Sequence, residues 1–289
     1  MIIVTGANGQ LGRAVVDRLL ERIPGDQLGV SVRDPEKAAD LREQGVRVRR
    51  GDFAEPASLE HAFEGATQVL ILSVNATGET AVRQHRTAIA GAVAAGAERI
   101  LYTSHMGASH TSPFPPMPDH AATEDLLRES GVAFTSLRNG FYASSAVMML
   151  GAAMQTGELA VPEDGPVSWT THADLATAAA VALTEGGLDG ITPALTAAEA
   201  IDMTRLAELA SEITGRSIRR VTVSDTDYHD GLVGHGLPVP VADMLLGIFL
   251  ASRQGDFAEV NPTLPALLGH PPVSLRSYLA AELQPVPTH

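Results

Sequence analysis

The run Thr5-Gly6-Ala7-Asn8-Gly9-Gln10-Leu11-Gly12 follows a short apolar strand, Ile2–Thr5. It opens a segment of helical spacing, Gln10–Arg22, with Leu11, Val15, Leu19 and Leu20 on one face. Each glycine has a physical use in that setting. Gly6 permits the tight turn, Gly9 lets the backbone approach a pyrophosphate, and Gly12 lets the helix pack close to the sheet. The helix start then offers free N–H groups and a positive dipole end to phosphates. An ordinary glycine-rich β-to-α turn would share the glycines, but the strand–loop–helix context points to a dinucleotide site. No Gly-Lys-Ser/Thr follows, so the run is not a P-loop.

Outward from this loop, strand and helix signals alternate. Leu28–Arg33 reads as a strand, and Asp34-Pro35 opens a helix through Gln44 with Asp34 as N-cap. Val46–Arg49, Val69–Val74, Arg99–Thr103 and Ala133–Arg138 are further strands, separated by helices over Ser58–Phe63, Glu79–Ala95 and His120–Glu129. The pattern predicts an α/β chain with a Rossmann-type doubly wound parallel sheet. The second half is less regular. Ala143–Gln155, the segment from Thr171 to Leu183, and Asp202–Thr214 read as helices, and Ile191–Leu195 as a return to the sheet. The expected division is a dinucleotide-binding domain of residues 1–139 and 166–195, and a smaller C-terminal α+β substrate lobe of residues 140–165 and 196–289.

Composition removes several chemistries. The 289 residues carry 34 acidic against 20 Lys+Arg side chains, a formal net charge of −14 that repels phosphate backbones, so nucleic acid is not an expected partner. There is no cysteine, hence no disulfide, thiolate metal site or cysteine nucleophile. No histidine pair has metal-ligand spacing on one helix face with a matching carboxylate, so no metal is expected. Ser104 lacks a Gly-x-Ser-x-Gly setting and does not read as a hydrolase nucleophile. Lys37 is the only lysine, and none of Tyr102, Tyr142, Tyr228 and Tyr278 has a lysine four residues later. The Tyr-x-x-x-Lys acid pair of standard short-chain dehydrogenases is therefore absent. The N-terminus shows no basic n-region, and the apolar runs Ala146–Met154 and Ala242–Ala251 are too short to cross a bilayer, so a cytoplasmic protein with no membrane partner is expected.

The end of the second strand bears on the cofactor. A carboxylate there would receive the ribose 2′-OH of NAD, whereas an arginine pairs with the 2′-phosphate of NADP. Arg33 occupies that place and Asp34 is better explained as a cap, so NADPH is expected, with NADH as the other hydride source. Asp52-Phe53 either borders the adenine or is a strand-end Asp beside a core Phe. Trp169 reads as a packing residue at the junction of the lobes, and Met148-Met149 as core or an adaptable pocket floor.

Taken together, Thr5–Gly12 with Arg33-Asp-Pro35, Gln84-His85-Arg86, Tyr102-Thr103-Ser104, Asp119-His120-Ala-Ala-Thr-Glu124, Leu137-Arg-Asn-Gly-Phe-Tyr142 and Leu267-Leu-Gly-His-Pro271 resemble the NmrA-like branch of the atypical short-chain dehydrogenases. More specifically they resemble the bacterial NAD(P)H:quinone oxidoreductases of that branch, with triphenylmethane dye reductases as close relatives. The resemblance implies a Rossmann domain, a small C-terminal lobe with a cleft between them, and a quinone or dye stacked on the nicotinamide of NADPH. It implies that Gly6, Asn8, Gly9, Gln10, Leu11, Gly12 and Arg33 hold the adenosine and phosphates, and that Ser73 and Val74 lie near the ribose. Ser104, His120, Asn139 and Phe141 would border the nicotinamide end, with His120, Asn139 and Phe141 as the catalytic candidates. His120 takes the position of the missing lysine in the extended pattern Tyr-x-x-x-Lys-x-x-x-Glu, Glu124 fits its last position, and Pro116 stands where the tyrosine would be.

Without a tyrosine acid, alcohol–ketone chemistry lacks a general acid worth roughly 10²–10⁴ in rate. A quinone is already electron-poor, and hydride addition gives a stabilised anion that water can protonate, so positioning suffices. The expected function is an NADPH-dependent reductase of a small aromatic or quinone-like acceptor, such as a quinone, dye or azo compound. The loop His110–Pro118 would supply an apolar wall through Phe114 and Met117, or is a rigid surface loop. The alternative is a non-catalytic NADP(H)-binding redox sensor or regulator of NmrA type. A third reading is a biosynthetic enzyme acting on a polyketide-like quinone. A homodimer is compatible with all of these.

Overall fold

The computed structural model describes residues 1–283. In chain order its strands are β1 (Ile2–Thr5), β2 (Leu28–Val32), β3 (Arg47–Arg50), β4 (Gln68–Ile71), β5 (Arg99–His105), β6 (Ala133–Asn139), β7 (Phe141–Tyr142), β8 (Glu158–Val161), β9 (Trp169–Thr170), β10 (Gly190–Ile191) and β11 (Arg219–Thr222). The helices are α1 (Gln10–Leu20), α2 (Ala39–Glu43), α3 (Pro56–Phe63), α4 (Glu79–Ala94), α5 (Pro116–Glu129), α6 (Ala143–Thr156), α7 (His172–Thr184), α8 (Met203–Thr214), α9 (Asp225–Gly234), α10 (Val239–Arg253), α11 (Thr263–Leu268) and α12 (Leu275–Leu283).

The chain divides into two compact units. The first comprises residues 1–110, 116–139 and 172–195. It holds a seven-stranded sheet of order β10-β6-β5-β4-β1-β2-β3 in which every neighbouring pair is parallel. Strands β1 and β2 are buried along their whole length, as sequences covered on both faces must be. Ile3, Val69, Ile71, Ile100 and Tyr102 form a core with Leu59 and Phe63 of α3, Ala88, Ile89 and Ala92 of α4, and Leu126 and Leu127 of α5. Each such Leu or Ile contributes about 1.5–3 kcal/mol by leaving water. Leu11, Val15, Val16 and Leu19 form the buried stripe of α1, which packs on α7. The strand order reverses between β1 and β4, which opens the crevice at the strand C-termini where doubly wound sheets take ligands.

Among the boundaries that differ from the sequence expectation, two bear on the site. Asp34 does cap, its carboxylate accepting from Glu36 N at 3.2 Å, but the helix it opens is a 3₁₀ turn over Pro35–Ala38 followed by the short α2. Helix α5 begins at Pro116, a turn before His120. Prolines in a first turn forfeit only N–H groups that have no intrahelical partner, so Pro116 and Pro118 start the helix rather than delay it.

The second unit comprises residues 111–115, 140–171 and the described residues from 196 onward. It contains helices α6 and α8 to α12 and two parallel strand pairs, β7 with β9 and β8 with β11. Asp202 caps α8 by accepting from Arg205 N at 2.8 Å. Residues 166–171, expected in the first domain, lie in this unit because Trp169 and Thr170 pair with Phe141 and Tyr142. Residues 111–115 join it because Phe114 stacks on Phe141 and meets the edge of Phe257. Phe141 also packs edge-on against Trp169, whose Nε1 donates to Ile201 O at 3.3 Å.

Candidate functional site

The glycine loop lies at the C-terminal edge of β1. Gly6 has φ 64°, a left-handed conformation that disfavours any side chain. A Cβ on Gly12 would fall 2.3 Å from Gly6 O, whereas a Cβ on Gly9 meets nothing nearer than 3.5 Å. Gly12 therefore seals α1 against the loop, and Gly9 leaves clear space over it. No side chain caps α1, so the N–H groups of Gln10, Leu11 and Gly12 face outward without an intrahelical acceptor. Asn8 Nδ2 donates to Asp34 O at 2.9 Å and ties the loop to the end of β2. That amide thus helps to position the loop. Arg33 is exposed and forms no ion pair or hydrogen bond among the described residues, next to a carboxylate already used as a cap.

Asp52 closes a turn, with Oδ1 accepting from Ala54 N at 2.9 Å and its own N–H donating to Ser58 Oγ at 2.9 Å. Phe53 packs half-buried on the hydrophobic core. At the end of β4 three successive N–H groups are each taken by a different element. Leu72 N donates to Thr5 Oγ1 at 2.9 Å, Ser73 N to Thr103 Oγ1 at 2.8 Å, and Val74 N to His85 Nε2 at 3.0 Å. Gly78 N donates to Asp119 Oδ2 at 2.7 Å, and burial holds that carboxyl above its usual range.

Beside this edge, four rings gather in the first unit. Tyr102 on β5 is fully buried, and its hydroxyl lies 2.8 Å from His120 Nδ1. The rings of His85 and Tyr102 meet edge-on at 5.2 Å, and those of His105 and His120 stack at 6.2 Å. His85 accepts from Val74 N on Nε2, so its Nδ1–H is the donor to Thr123 Oγ1 at 2.9 Å. His105 Nδ1 accepts from Gly107 N at 3.1 Å. Desolvation lowers His85 to about 4 and His105 to about 3. It also holds His120 well below 6.5, aided by the neighbouring His105 and His85. Burial thus leaves His120 neutral at physiological pH.

Ser104 is engaged within the protein. Its hydroxyl donates to Glu124 Oε1 at 2.8 Å, inside a network completed by Ser136 Oγ at 3.0 Å and Arg138 Nη2 on Oε2 at 2.7 Å. Glu124 is 1% exposed and acts here as the anchor between α5, β5 and β6. Asn139 ends β6 opposite His105 in register, and its Oδ1 is buried without a hydrogen-bond partner. Phe141 is buried in the aromatic cluster of the second unit. Phe114 lies in that cluster as well, and Met117 is buried in α5, so neither is an open wall. Met148, expected in a core or pocket floor, is 73% exposed. Tyr102, His105, His85 and Thr103 are the residues that sequence reasoning left out of the site. Their signal was weak: three lie along β5, where strand periodicity marks no site, and His85 lies within α4. Among the described residues, no group of His, Asp and Glu is placed to hold a metal, and no helix is long and apolar enough to cross a membrane.

This edge, with its open glycine, uncapped helix start and unpaired arginine, fits a dinucleotide. The family model described as NAD(P)H-binding matches residues 6–186. The chain belongs to that NAD(P)H-binding family, in its NmrA-like branch. Among its fellow members, quinone oxidoreductase 2 of Escherichia coli (strain K12) is 36% identical over 276 residues, 95% of this chain and 96% of that protein. The crystal structure of an NADPH-dependent quinone oxidoreductase from Escherichia coli complexed with NADPH superposes with a TM-score of 0.92 at 35% identity, covering 98% of this chain and 99% of that one. The triphenylmethane reductase of Citrobacter sp., complexed with NADP(H), gives 0.89 at 32% identity over 98% of this chain and 100% of that one.

Proposed function

We propose that this NAD(P)H-binding chain is an NADPH-dependent oxidoreductase that transfers hydride to a quinone or a related conjugated acceptor, such as a triarylmethane dye or an azo compound. The observation that carries the reading is the pairing of an uncapped, glycine-gated helix start with an acid-poor edge: three histidines are held neutral by burial, the Tyr102 hydroxyl is bonded to His120, Glu124 is consumed by Ser104, Ser136 and Arg138, and the sole lysine, Lys37, lies after β2. Such an edge suits an acceptor whose reduced anion needs no strong acid.

The residues present suit NADPH. Gly6, Gly9, Gly12 and the N–H groups of Gln10 and Leu11 would hold the pyrophosphate, with Asn8 bracing the loop. Arg33 would take the 2′-phosphate, for which it has no competing partner among the described residues. Asp52 and Phe53 would flank the adenine, and Ser73 and Val74 the ribose. Asn139 Oδ1 is buried and unpaired, at a cost of about 1–3 kcal/mol that a bound amide or hydroxyl donor would remove. His120 would meet the acceptor end, and Phe141 would act through the packing of the second unit. NADPH, when bound, supplies the hydride.

The chain on this reading works in the cytoplasm on a small aromatic acceptor. Nucleic acid has no place in it, given the net charge of −14. A homodimer is the assembly proposed, and sedimentation of the pure protein tests it. The relatives' names favour the reductase over the regulator reading. The deciding experiment supplies purified protein and NADPH with benzoquinone, menadione, a triarylmethane dye and an azo dye, and follows NADPH absorbance. Turnover with at least one is expected. Tight NADPH binding with no turnover across the panel would overturn the reading in favour of a sensor.

A further inference from the structure

His120 Nδ1 is engaged at 2.8 Å by the Tyr102 hydroxyl, while Nε2 has no partner among the described residues. Tyr102 is fully buried, His120 only partly. A buried phenol must place its proton. A phenol O–H is a much stronger acid than a neutral imidazole N–H, and an imidazole nitrogen is a better acceptor than a phenol oxygen. The favoured arrangement therefore has Tyr102 donating and Nδ1 accepting, which leaves the imidazole proton on Nε2.

The groups around the pair support a neutral ring. His85 is locked with its proton on Nδ1 by the Val74 N–H, and His105 accepts on Nδ1 from Gly107 N. On α5, Asp119 is engaged by Gly78 N, and Glu124 is consumed by Ser104, Ser136 and Arg138. None of these carboxylates bonds to the His120 ring, so none is placed to stabilise an imidazolium.

We propose that Tyr102 is a positioning residue, which donates to His120 Nδ1 and so presents Nε2–H as a fixed, neutral hydrogen-bond donor to the acceptor oxygen that gains charge on hydride transfer. This rests on the hydride-transfer reading above. The acceptor gains two electrons and a hydrogen from NADPH, which becomes NADP⁺; the resulting monoanion takes its proton from water, and His120 keeps its own. The side chain missing from the Tyr-x-x-x-Lys pattern thus has a partial replacement, reached through strand β5 rather than helix α5.

Two arms test it. The first reads the tautomer of the protein without substrate, by two-bond ¹⁵N–¹H correlations in ¹⁵N-histidine-labelled protein. His120 should show a single Nε2–H species that stays neutral at and somewhat below neutral pH. Protonation on Nδ1, or an imidazolium near neutrality, overturns the proposal. In Tyr102→Phe the signal should divide between tautomers. The second arm reads turnover. His120→Gln places an amide N–H near the position of Nε2–H and should keep kcat within about tenfold, whereas His120→Leu should lose about 10²-fold with KM for NADPH unchanged. Tyr102→Phe should lower kcat by about three- to tenfold, the worth of one neutral hydrogen bond. If Gln is as inactive as Leu, His120 transfers a proton and the proposal fails. If Tyr102→Phe matches the wild type in tautomer and kcat, Tyr102 has no positioning role. Absence of turnover in the wild type would sink the hydride reading alone, since the tautomer arm needs no acceptor.

Discussion

The C-terminal edge of the first unit and the aromatic cluster of the second are both buried, yet they are built from opposite materials. The edge fixes Tyr102, His85, His105, His120, Thr103 and Glu124 each by directional hydrogen bonds, to one another or to neighbouring groups. The cluster packs Phe114, Phe141, Trp169 and Phe257 by shape, with ring centroids 5.0–5.9 Å apart. A polar edge holds atoms at defined positions and answers to pH. An aromatic cluster tolerates small displacements and answers to lost volume.

Acid should separate the two most sharply. His85 and His105 have folded pKa values depressed to about 4 and about 3, below the unfolded value near 6.5. The unfolded chain then binds more protons, so stability is complete above pH ~6.5 and is lost as the pH falls. Between pH ~6.5 and ~5 each of the two should cost about 1.6 kcal/mol, roughly 3 together. Amide exchange should show this loss across 99–105 before it reaches Phe141, Trp169 and Phe257. Equal protection of 99–105 at both pH values would refute the neutral-histidine edge.

Volume loss should strike the other region. Phe257 is fully buried, and Phe257→Ala should cost about 3–4 kcal/mol in urea unfolding while leaving NADPH affinity within about twofold. A comparable fall in NADPH affinity would mean that the cluster shapes the cofactor site directly. Glu124→Gln keeps the size of the anchor but removes its charge beside Arg138, whose side chain is 29% exposed. Solvent on the arginine tempers the loss to about 2–3 kcal/mol, less than for a wholly buried pair. The smallest effect concerns the exposed Arg33. Arg33→Ser should weaken NADPH by about tenfold and leave NADH unchanged, a ratio measured by fluorescence titration of both.

The two regions also differ in how much of them a sequence discloses. The glycine loop was legible because its steric demands are local: a positive φ at Gly6 and a close approach at Gly12 fall within one turn of chain. Asp34 was legible as a cap for the same reason. The Tyr102–His120 pair was not, because it spans 18 residues and joins a strand to a helix whose first turn is hidden behind prolines. The phenol also lies on a strand, whereas the Tyr-x-x-x-Lys pattern places it on the helix. In the second unit, β7 and β9 are two residues each, too short for alternation to show, and their pairing drew 166–171 away from the first domain. Phe141 reads as a site residue by position in the motif, but its ring is committed to packing.

The end of β4 also sets a polarity for whatever lies against it. With Leu72, Ser73 and Val74 N–H groups already given to Thr5, Thr103 and His85, the backbone there presents carbonyl oxygens and no amide protons. A neighbour that brings its own hydroxyl protons, as a sugar does, is matched to that edge, and an anion is repelled by it. The start of α1 has the reverse character, all donors and no acceptors of its own. The two edges flanking the β1–β4 crevice are therefore of opposite hydrogen-bonding sense, which favours one orientation of a ligand with a phosphate end and a hydroxylated end.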